Sequence, residues 1–226
     1  MKRIEFVTNE YYHIFNRGVD KRKIFLDSND MKRFFQSMEE FNAVEPINSI
    51  YENSFHKALG GSTSKQIKLV NFICYCLNPN HFHFILEPLI EKGVEKFMQR
   101  LGTGYTMYFN EKYKRSGALF QGRYKATYIN AENLLYVSVY VNLNDKVHKL
   151  GGSTSKSSWN EYMSNQKQKT DFCVQNIILE QFKNITEYKE YAAETIKIIQ
   201  EKKIDKNEDL EVEPPSDYLS AASIKD

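Results

Sequence analysis

The spacing of hydrophobic and polar positions changes along the chain between a period of two and a helical period, which predicts alternating strands and helices. Residues 9–17 have the aromatic, partly alternating pattern of a strand. Asp27 and Ser28 are suitable N-cap residues, and apolar positions at helical spacing follow them, so we expect a first helix that runs to about Val44. Its apolar positions are Met31, Phe34, Phe35, Met38 and Phe41.

Two short β-rich runs follow this helix along the chain. Residues 67–77 are rich in β-branched and aromatic side chains, and residues 81–88 show the same preference. Asn78, Pro79 and Asn80 separate the two runs by a short break. The sequence therefore predicts two neighbouring antiparallel strands that form a hairpin.

Two further helices flank one more strand. Residues 119–130 favour a strand, and the apolar stripe of residues 131–144 indicates a third helix. Gly102 and Gly104 are poor helix formers within the second helix, where they predict a kink or a close contact. The apolar positions of that second helix are Val94, Phe97, Met98, Leu101, Tyr105 and Phe109.

The order strand, helix, strand, strand, helix, strand, helix predicts an α+β fold. We expect a ferredoxin-like antiparallel sheet with helices on one face, an added third helix and a helical C-terminal extension. Residues 1–150 would form this domain, residues 151–203 the helical extension, and residues 204–226 an acidic, disordered tail. The segment LGGSTSK occurs twice, at 59–65 and 150–156, and its composition is typical of flexible surface loops.

The charge distribution favours an anionic partner for the main domain. The 226-residue chain has a net charge of +2. Residues 1–150 carry 21 Lys and Arg against 15 Asp and Glu, whereas residues 151–226 carry 10 against 14. A basic body with an acidic tail is compatible with nucleic-acid binding, although many other proteins show a similar division of charge.

The cysteines and the hydropathy pattern bear on the compartment. Cys74, Cys76 and Cys173 do not suggest a disulfide framework, because their number is odd and two of them share a predicted strand. We find no apolar stretch typical of a signal peptide and no run long enough to span a membrane. These features predict a cytoplasmic protein with no membrane partner.

Two histidines one residue apart suggest a metal site. His81 and His83 lie in a predicted strand, so their side chains project from the same face of the sheet, which we expect to be exposed. Two neutral imidazoles at this spacing can hold one divalent ion. The alternative is two polar residues on a solvated strand face, and the pair alone does not decide between these interpretations.

Tyr140 and Asn144 lie four residues apart, which places them on one face of the predicted third helix. A tyrosine hydroxyl can attack a phosphodiester whose phosphate is polarised, and an asparagine oxygen is a suitable ligand for a magnesium-type ion. The alternative is that Tyr140 packs in the core and Asn144 caps the helix C-terminus. Tyr136, one turn before Tyr140, is a competing nucleophile.

The segment 112–125 combines positive charge with aromatic rings and contains no acidic residue. Cations bind phosphates and aromatic rings stack on unpaired bases, so the segment suits single-stranded DNA. The alternative is a solvated helix end, a turn at Gly117 and a half-buried strand. The candidate DNA-binding residues are Lys112, Lys114, Arg115, Arg123, Tyr124 and Lys125.

Several stretches resemble, in their order and spacing, the REP-associated tyrosine transposases, a branch of the single-tyrosine HUH transposases that includes the insertion-sequence-200-like enzymes. The matching stretches are YHIFNRGVDKRKIF, LNPNHFHFIL, YTMYFNEKYKRSGALFQGRYKA, YVNLNDKV and SSWNEY. The resemblance covers residues 8–162. It departs from the family pattern at Asp145, where the family usually has proline, and this departure makes the match at Asn144 less close.

The resemblance implies a ferredoxin-like fold and a role for each motif. It implies that His81 and His83 are metal ligands, that Tyr140 is the nucleophile and that Asn144 completes a site for Mg²⁺ or Mn²⁺. The implied reaction is cleavage and rejoining of single-stranded DNA at hairpin-flanked sites through a 5′-phosphotyrosine intermediate. Such a transposase would act on single-stranded or hairpin DNA as a monomer or a homodimer.

Two other functions fit the same residues. An HUH nuclease of replication or plasmid transfer shares the histidine pair and the tyrosine, but such proteins usually carry further domains. A non-catalytic nucleic-acid-binding protein of the same fold is compatible with the acidic tail and with Asp145. Cleavage of single-stranded hairpin DNA in the presence of Mg²⁺ or Mn²⁺ separates an enzyme from a binding protein.

Overall fold

The computed structural model describes residues 4–53, 66–148, 150, 152, 154–164 and 172–206. Its strands are β1 (Tyr11–Arg17), β2 (Val70–Asn78), β3 (His81–Pro88), β4 (Lys125–Ile129) and β5 (Lys156–Ser157). Its α-helices are α1 (Ser28–Glu40), α2 (Gly93–Lys112), α3 (Leu134–Asn142), α4 (Asn144–Val147), α5 (Trp159–Tyr162), α6 (Asn176–Leu179) and α7 (Ile185–Lys206). A short 3-10 helix, Val19–Lys21, follows β1.

The five strands form one antiparallel sheet in the order β4-β1-β3-β2-β5. The order of the first four is that of a ferredoxin-like sheet, so the predicted α+β fold is confirmed. β5 is an additional edge strand that pairs with β2, so the segment expected to be a helical extension also contributes to the sheet. In the pairing of β1 with β3, Phe15 lies opposite His83 and Asn16 lies opposite Phe82.

The two faces of the sheet pack against different helices. On one face, Phe34 of α1 packs against Phe82 of β3 with ring centroids 5.5 Å apart, and α2 packs beside α1. On the other face, Sγ of Cys74 lies 3.9 Å from the carbonyl oxygen of Ser138 in α3. Each buried aromatic side chain of this core stabilises the fold by about 1.5–3 kcal/mol. α3 is therefore the added helix, and it covers the face that bears the histidines.

α1 begins where the sequence predicts and ends earlier. The Asp27 carboxylate accepts a hydrogen bond from the Asp30 N–H at 2.9 Å, and the Asp30 carboxylate accepts one from the Asp27 N–H at 3.3 Å. The helix ends before the expected Val44. The reason is Asn42, whose side chain binds both the N–H and the carbonyl oxygen of Val70 at the start of β2.

β4 is shorter than the strand predicted over residues 119–130. The first half of that prediction is wrong, because residues 119–124 form a loop before β4. Gly117 and Gly122 have φ values of 82° and 68°, in the left-handed region that glycine adopts without strain. An isolated bridge between Gly18 and Phe120 joins this loop to the chain after β1.

The sequence predicts that Tyr140 and Asn144 lie on one continuous helix, and this prediction is wrong. α3 ends at Asn142, and Leu143 leaves the helix with φ −113° and ψ 20°. Asn144 begins the separate short helix α4, and Asp145 lies in the first turn of that helix. The break at Leu143 therefore sets the position of Asn144 relative to Tyr140.

α2 is a single helix that passes through both of its internal glycines. A Cβ at Gly104 would lie 2.6 Å from the Phe41 ring, so this glycine permits a close contact between α2 and the end of α1. A Cβ at Gly102 would meet no atom within 4 Å. The expected close contact is confirmed at Gly104, and packing gives no reason for the second glycine.

The C-terminal helix α7 extends to Lys206, past the predicted boundary at residue 203. Residues 207–226 of the expected tail and the first LGGSTSK copy at 59–65 lie outside the described residues. Within the described part of the chain, no helix is both long and apolar enough to cross a membrane.

Candidate active site

His81 and His83 lie on the same face of β3, as their spacing predicts. Their ring centroids are 5.1 Å apart and the ring planes are perpendicular. The expectation that this face is exposed is wrong, because both histidines are fully buried. They are buried because α3 and α4 pack over this side of the sheet.

Three asparagine side chains surround the His81 ring. Its Nδ1 lies 2.7 Å from Oδ1 of Asn80, which can only accept, so in the neutral ring Nδ1 carries the proton and Nε2 keeps its lone pair. Nδ2 of Asn78 lies 2.9 Å from this Nε2 and also donates to Oδ1 of Asn144 at 2.7 Å. The Nε2 and the Asn144 oxygen are 3.1 Å apart, so two acceptor atoms converge on one place.

The spacing of these two acceptors fits a divalent cation, which would take the place of the Asn78 amide that now donates to both. Neighbouring ligands of an octahedral Mg²⁺ at about 2.1 Å lie about 3 Å apart, which matches the 3.1 Å between His81 Nε2 and Asn144 Oδ1. His83 would supply a second imidazole. Among the described residues, no group of three or more His, Cys, Asp or Glu side chains could hold a metal ion. A cation here would therefore rely on two imidazoles, one amide and oxygen atoms from a ligand or water.

His13 of β1 orients the His83 ring. Its Nε2 lies 2.9 Å from Nδ1 of His83, and the two rings stack with planes 6° apart. Burial lowers the pKa of His13 to about 3, so the ring is neutral near pH 7. When the His13 nitrogen accepts the Nδ1 proton, Nε2 of His83 becomes the nitrogen that can bind a metal.

Tyr140 packs edge-on against two histidines of the same chain. Its ring centroid is 5.6 Å from that of His83 and 6.0 Å from that of His13, with interplanar angles of 85° and 88°. Only 1% of its surface is exposed, so a ligand could contact it only after a local opening. Tyr136, the competing candidate, is half-buried one turn earlier on α3.

Lys112, one of the predicted DNA contacts, has a structural role. Its Nζ lies 2.8 Å from the Asp27 carboxylate and 2.7 Å from the buried Asp30 carboxylate. Burial acts to lower the pKa of Lys112, but the hydrogen bonds to the two carboxylates outweigh burial and the pKa is raised. Lys112 therefore ties the end of α2 to the start of α1, and its charge is already neutralised by these two carboxylates.

Arg115 stabilises the turn after α2. Its Nη1 donates to Oδ1 of Asn110 at 2.8 Å, and its guanidinium lies 5.6 Å from the centre of the Phe109 ring. Lys114 is exposed beside it, with a φ of 50°. Of these two basic residues, Lys114 is therefore the more accessible to a phosphate.

Arg123, Tyr124 and Lys125 mark the point where the loop enters the edge of the sheet. Arg123 is exposed, and its guanidinium lies 5.3 Å from the centre of the Tyr124 ring. Lys125 pairs with Phe15, which itself pairs with His83. Directly paired residues share a face, so Lys125 lies on the histidine face, whereas Tyr124 is the last loop residue before β4.

Sequence reasoning misses His13 and interprets Asn78 and Asn80 only as strand breakers. His13 contacts His83 across seventy residues of sequence, and no local motif indicates that pairing. The available signal is a polar residue inside an apolar strand, because a buried polar group needs a partner. Sequence reasoning also misses His148, because its contact with His81, at 5.6 Å between ring centroids, joins residues that are far apart in the sequence.

Residues 6–144 match the family model described as "Transposase IS200 like". Among solved structures, the chain is similar to a REP-associated tyrosine transposase bound to a REP hairpin, with a TM-score of 0.47 and 10% sequence identity. That similarity covers 76% of this chain and 90% of the other. No curated protein matches the chain. The family match extends from before β1 to Asn144 and so includes the histidine pair and Tyr140.

Proposed function

The chain belongs to the IS200-like transposase family, and from this premise we propose that it cuts and rejoins single-stranded DNA with Tyr140 as the nucleophile. The cut would fall at hairpin-flanked sites. His81, His83 and Asn144 would lie beside the reacting phosphate, and a 5′-phosphotyrosine would link the protein to the DNA between the two steps.

The observation that supports this proposal most is the meeting of polar side chains from four elements. Tyr140 of α3 packs 5.6 Å from His83 of β3, which is held by His13 of β1. Asn144 of α4 lies 3.1 Å from His81. Burying so many polar groups costs stability relative to an apolar core, so their concentration in one place favours a functional site over a packing role.

The proposed first step is attack of the Tyr140 hydroxyl oxygen on a backbone phosphorus. The bond from phosphorus to the 3′ oxygen breaks, this oxygen takes up a proton, and the tyrosine proton is lost to solvent. In the second step a 3′-hydroxyl attacks the same phosphorus, and the bond to Tyr140 breaks. One ester replaces another at each step, so no nucleotide cofactor is consumed.

His81, His83 and Asn144 would hold Mg²⁺ or Mn²⁺. The ion, when bound, polarises a phosphate oxygen and stabilises the charge that develops in the transition state. The chain's own contribution is orientation. His13 presents Nε2 of His83, and Asn80 accepts from Nδ1 of His81, which leaves Nε2 of that ring as the nitrogen that can bind the ion.

Among the predicted DNA-binding residues, Lys125 lies on the same face of the sheet as this site. It lies on the histidine face, two strands away from His83, with its Nζ 5.8 Å from the Phe15 ring. A cation there neutralises the DNA backbone without needing a particular base. The surface we propose for DNA continues from Lys125 to the remaining predicted residues Lys114, Arg115, Arg123 and Tyr124.

DNA binding without cutting is a second candidate function, and the burial of Tyr140 favours it. A nucleophile that is 1% exposed must be uncovered before it can react. Asp145 stands where the family that this chain resembles usually has proline. Its carboxyl group is half-buried, and burial raises its pKa. The cutting function requires that bound DNA uncovers Tyr140, whereas binding without cutting does not.

The experiment mixes the protein with end-labelled single-stranded DNA that carries a hairpin and adds Mg²⁺ or Mn²⁺. The proposal predicts one product with a free 3′-hydroxyl and a second product attached to protein, and neither forms when EDTA is present. Stable DNA binding with intact DNA under all conditions would support the non-catalytic function instead. Tyr140→Phe is the matched control, since it keeps the ring and removes the attacking oxygen.

A further inference from the structure

A groove of about 710 Å³ lies on the face of the sheet opposite the histidines, between α2 and the loop at residues 118–124. Its floor is formed by the buried side chains of Phe82, Leu101 and Phe120. A groove of this size and character takes a flat, largely apolar group of ligand size. None of the proposed catalytic residues lines it.

Gly102 lines the groove without a side chain. It lies within α2, where glycine destabilises a helix by about 1 kcal/mol relative to alanine. Gly104 has a packing reason, the Phe41 ring, whereas a Cβ at Gly102 would meet no atom within 4 Å. Gly102 lines the groove, so any longer side chain there would project into it. The absence of a side chain at Gly102 therefore leaves this part of the groove unfilled.

The rim of the groove is suited to a ligand that is both aromatic and anionic. Tyr124 lines it with a half-buried ring, and the guanidinium of Arg123 lies 5.3 Å from that ring's centre. Of the five basic residues in segment 112–125, Arg123 lines the groove, and Glu95 of α2 lines it as well. Gln99 and Thr106 of α2 add polar groups that can hydrogen-bond to a ring edge.

We propose that this groove binds one unpaired nucleobase of the DNA strand, with the base against Tyr124 and its phosphate near Arg123. The proposal rests on the proposed action on single-stranded DNA and adds a base-binding site to it. Tyr124 lines the groove directly before β4, which is an edge strand, and Lys125, the first residue of β4, lies on the histidine face. A strand that crosses this edge can place one base in the groove and a phosphate on the histidine face.

The test measures binding of a single-stranded oligonucleotide with a hairpin, in which a single abasic position is moved along the unpaired part. Removing the base that occupies the groove should weaken binding to the wild-type protein about 5- to 100-fold, the range for stacking on an aromatic side chain. Gly102→Leu fills the groove and should weaken binding of the intact oligonucleotide by a similar factor. In that variant the same abasic position should have no further effect.

Two other variants make the result specific. Gly102→Ala adds one methyl group and should weaken binding much less than leucine does. Ala193→Leu places the same side chain at an exposed position of α7, away from the groove, and should bind as the wild type does. Thermal melting of all variants confirms that the fold is intact, and Tyr124→Leu supplies a second way to remove the stacking surface if Gly102→Leu fails to fold.

The outcomes distinguish this proposal from the proposed function. If the protein binds single-stranded DNA and forms the tyrosine adduct, but no abasic position matters or Gly102→Leu binds normally, the base-binding site is refuted and the reaction stands. If the wild-type protein binds no single-stranded DNA, both proposals are refuted. Both proposals are supported if the abasic position weakens binding to the wild type but not to Gly102→Leu, and if Gly102→Leu still forms the adduct at saturating DNA.

Discussion

Replacing His13 with phenylalanine tests whether this buried ring positions His83. The change keeps an aromatic ring of similar size, which can still stack between Phe15 and His83, whose centroids lie 4.9 Å and 5.1 Å from that of His13. It removes the nitrogen that lies 2.9 Å from Nδ1 of His83. His83 would then have to leave a buried N–H without this acceptor or move its proton to Nε2.

The size of the effect follows from these two options. A buried donor without an acceptor costs about 1–3 kcal/mol. A proton on Nε2 prevents that nitrogen from binding a metal. Loss of a partner that orients a metal-binding histidine typically weakens metal affinity about 10- to 100-fold. We therefore expect His13→Phe to bind Mn²⁺ about 10- to 100-fold more weakly than the wild type.

The assay is calorimetric titration of Mn²⁺ into each protein, together with NMR of the imidazole nitrogens to identify the protonated nitrogen of His83. His13→Gln is the matched control, because its side-chain oxygen can accept from Nδ1 of His83 and should restore most of the affinity. Unchanged Mn²⁺ affinity and an unchanged His83 tautomer in His13→Phe would show that the contact between the two rings is only packing.

Three further predictions concern the site and the DNA surface. His81→Gln should abolish cleavage while retaining DNA binding, and cleavage at the wild-type rate would contradict a ligand role for this ring. Lys112→Met should lower the free energy of unfolding by about 3 kcal/mol in urea denaturation, because the buried Asp30 loses its cation, and DNA affinity should not change; weaker DNA binding at unchanged stability would restore Lys112 to the DNA surface. Changing Arg123 and Lys125 to alanine should make the salt dependence of binding shallower by about 0.7 for each lost phosphate contact, and an unchanged slope would remove these residues from the interface.

The fold could be predicted from the sequence because its signals are local. The helical spacing in α1 and α2, the turn at residues 79–80 and the alternation in β1 and β3 each depend on neighbouring residues. Errors occur where a distant contact determines the outcome. Asn42 ends α1 because it binds the start of β2, and no residue near Asn42 in sequence indicates this.

The candidate site was predictable in part. The shared face of His81 and His83 follows from strand geometry alone. Their burial does not, because it depends on where α3 packs. The break at Leu143, which positions Asn144, is not predictable either, since the surrounding residues are compatible with one continuous helix.

The basic segment 112–125 also shows that contacts in the fold cannot be predicted from local sequence. Its five cations are equivalent in the sequence, but their partners in the fold differ. Lys112 is paired with Asp27 and Asp30 from α1, whereas Lys125 lies on the histidine face of the sheet. A count of charges therefore predicts the character of the surface but does not identify which side chains are available to DNA.

The central claim is that Tyr140 forms the covalent bond to DNA, and mass spectrometry of the protein–DNA adduct tests it most directly. Wild-type protein and the variants Tyr140→Phe and Tyr136→Phe are each mixed with labelled single-stranded hairpin DNA and a divalent metal, then separated under denaturing conditions. We expect adducts from the wild type and from Tyr136→Phe, with the modified peptide mapping to Tyr140, and no adduct from Tyr140→Phe. An adduct in Tyr140→Phe, or a modified peptide that maps to Tyr136, would contradict the assignment.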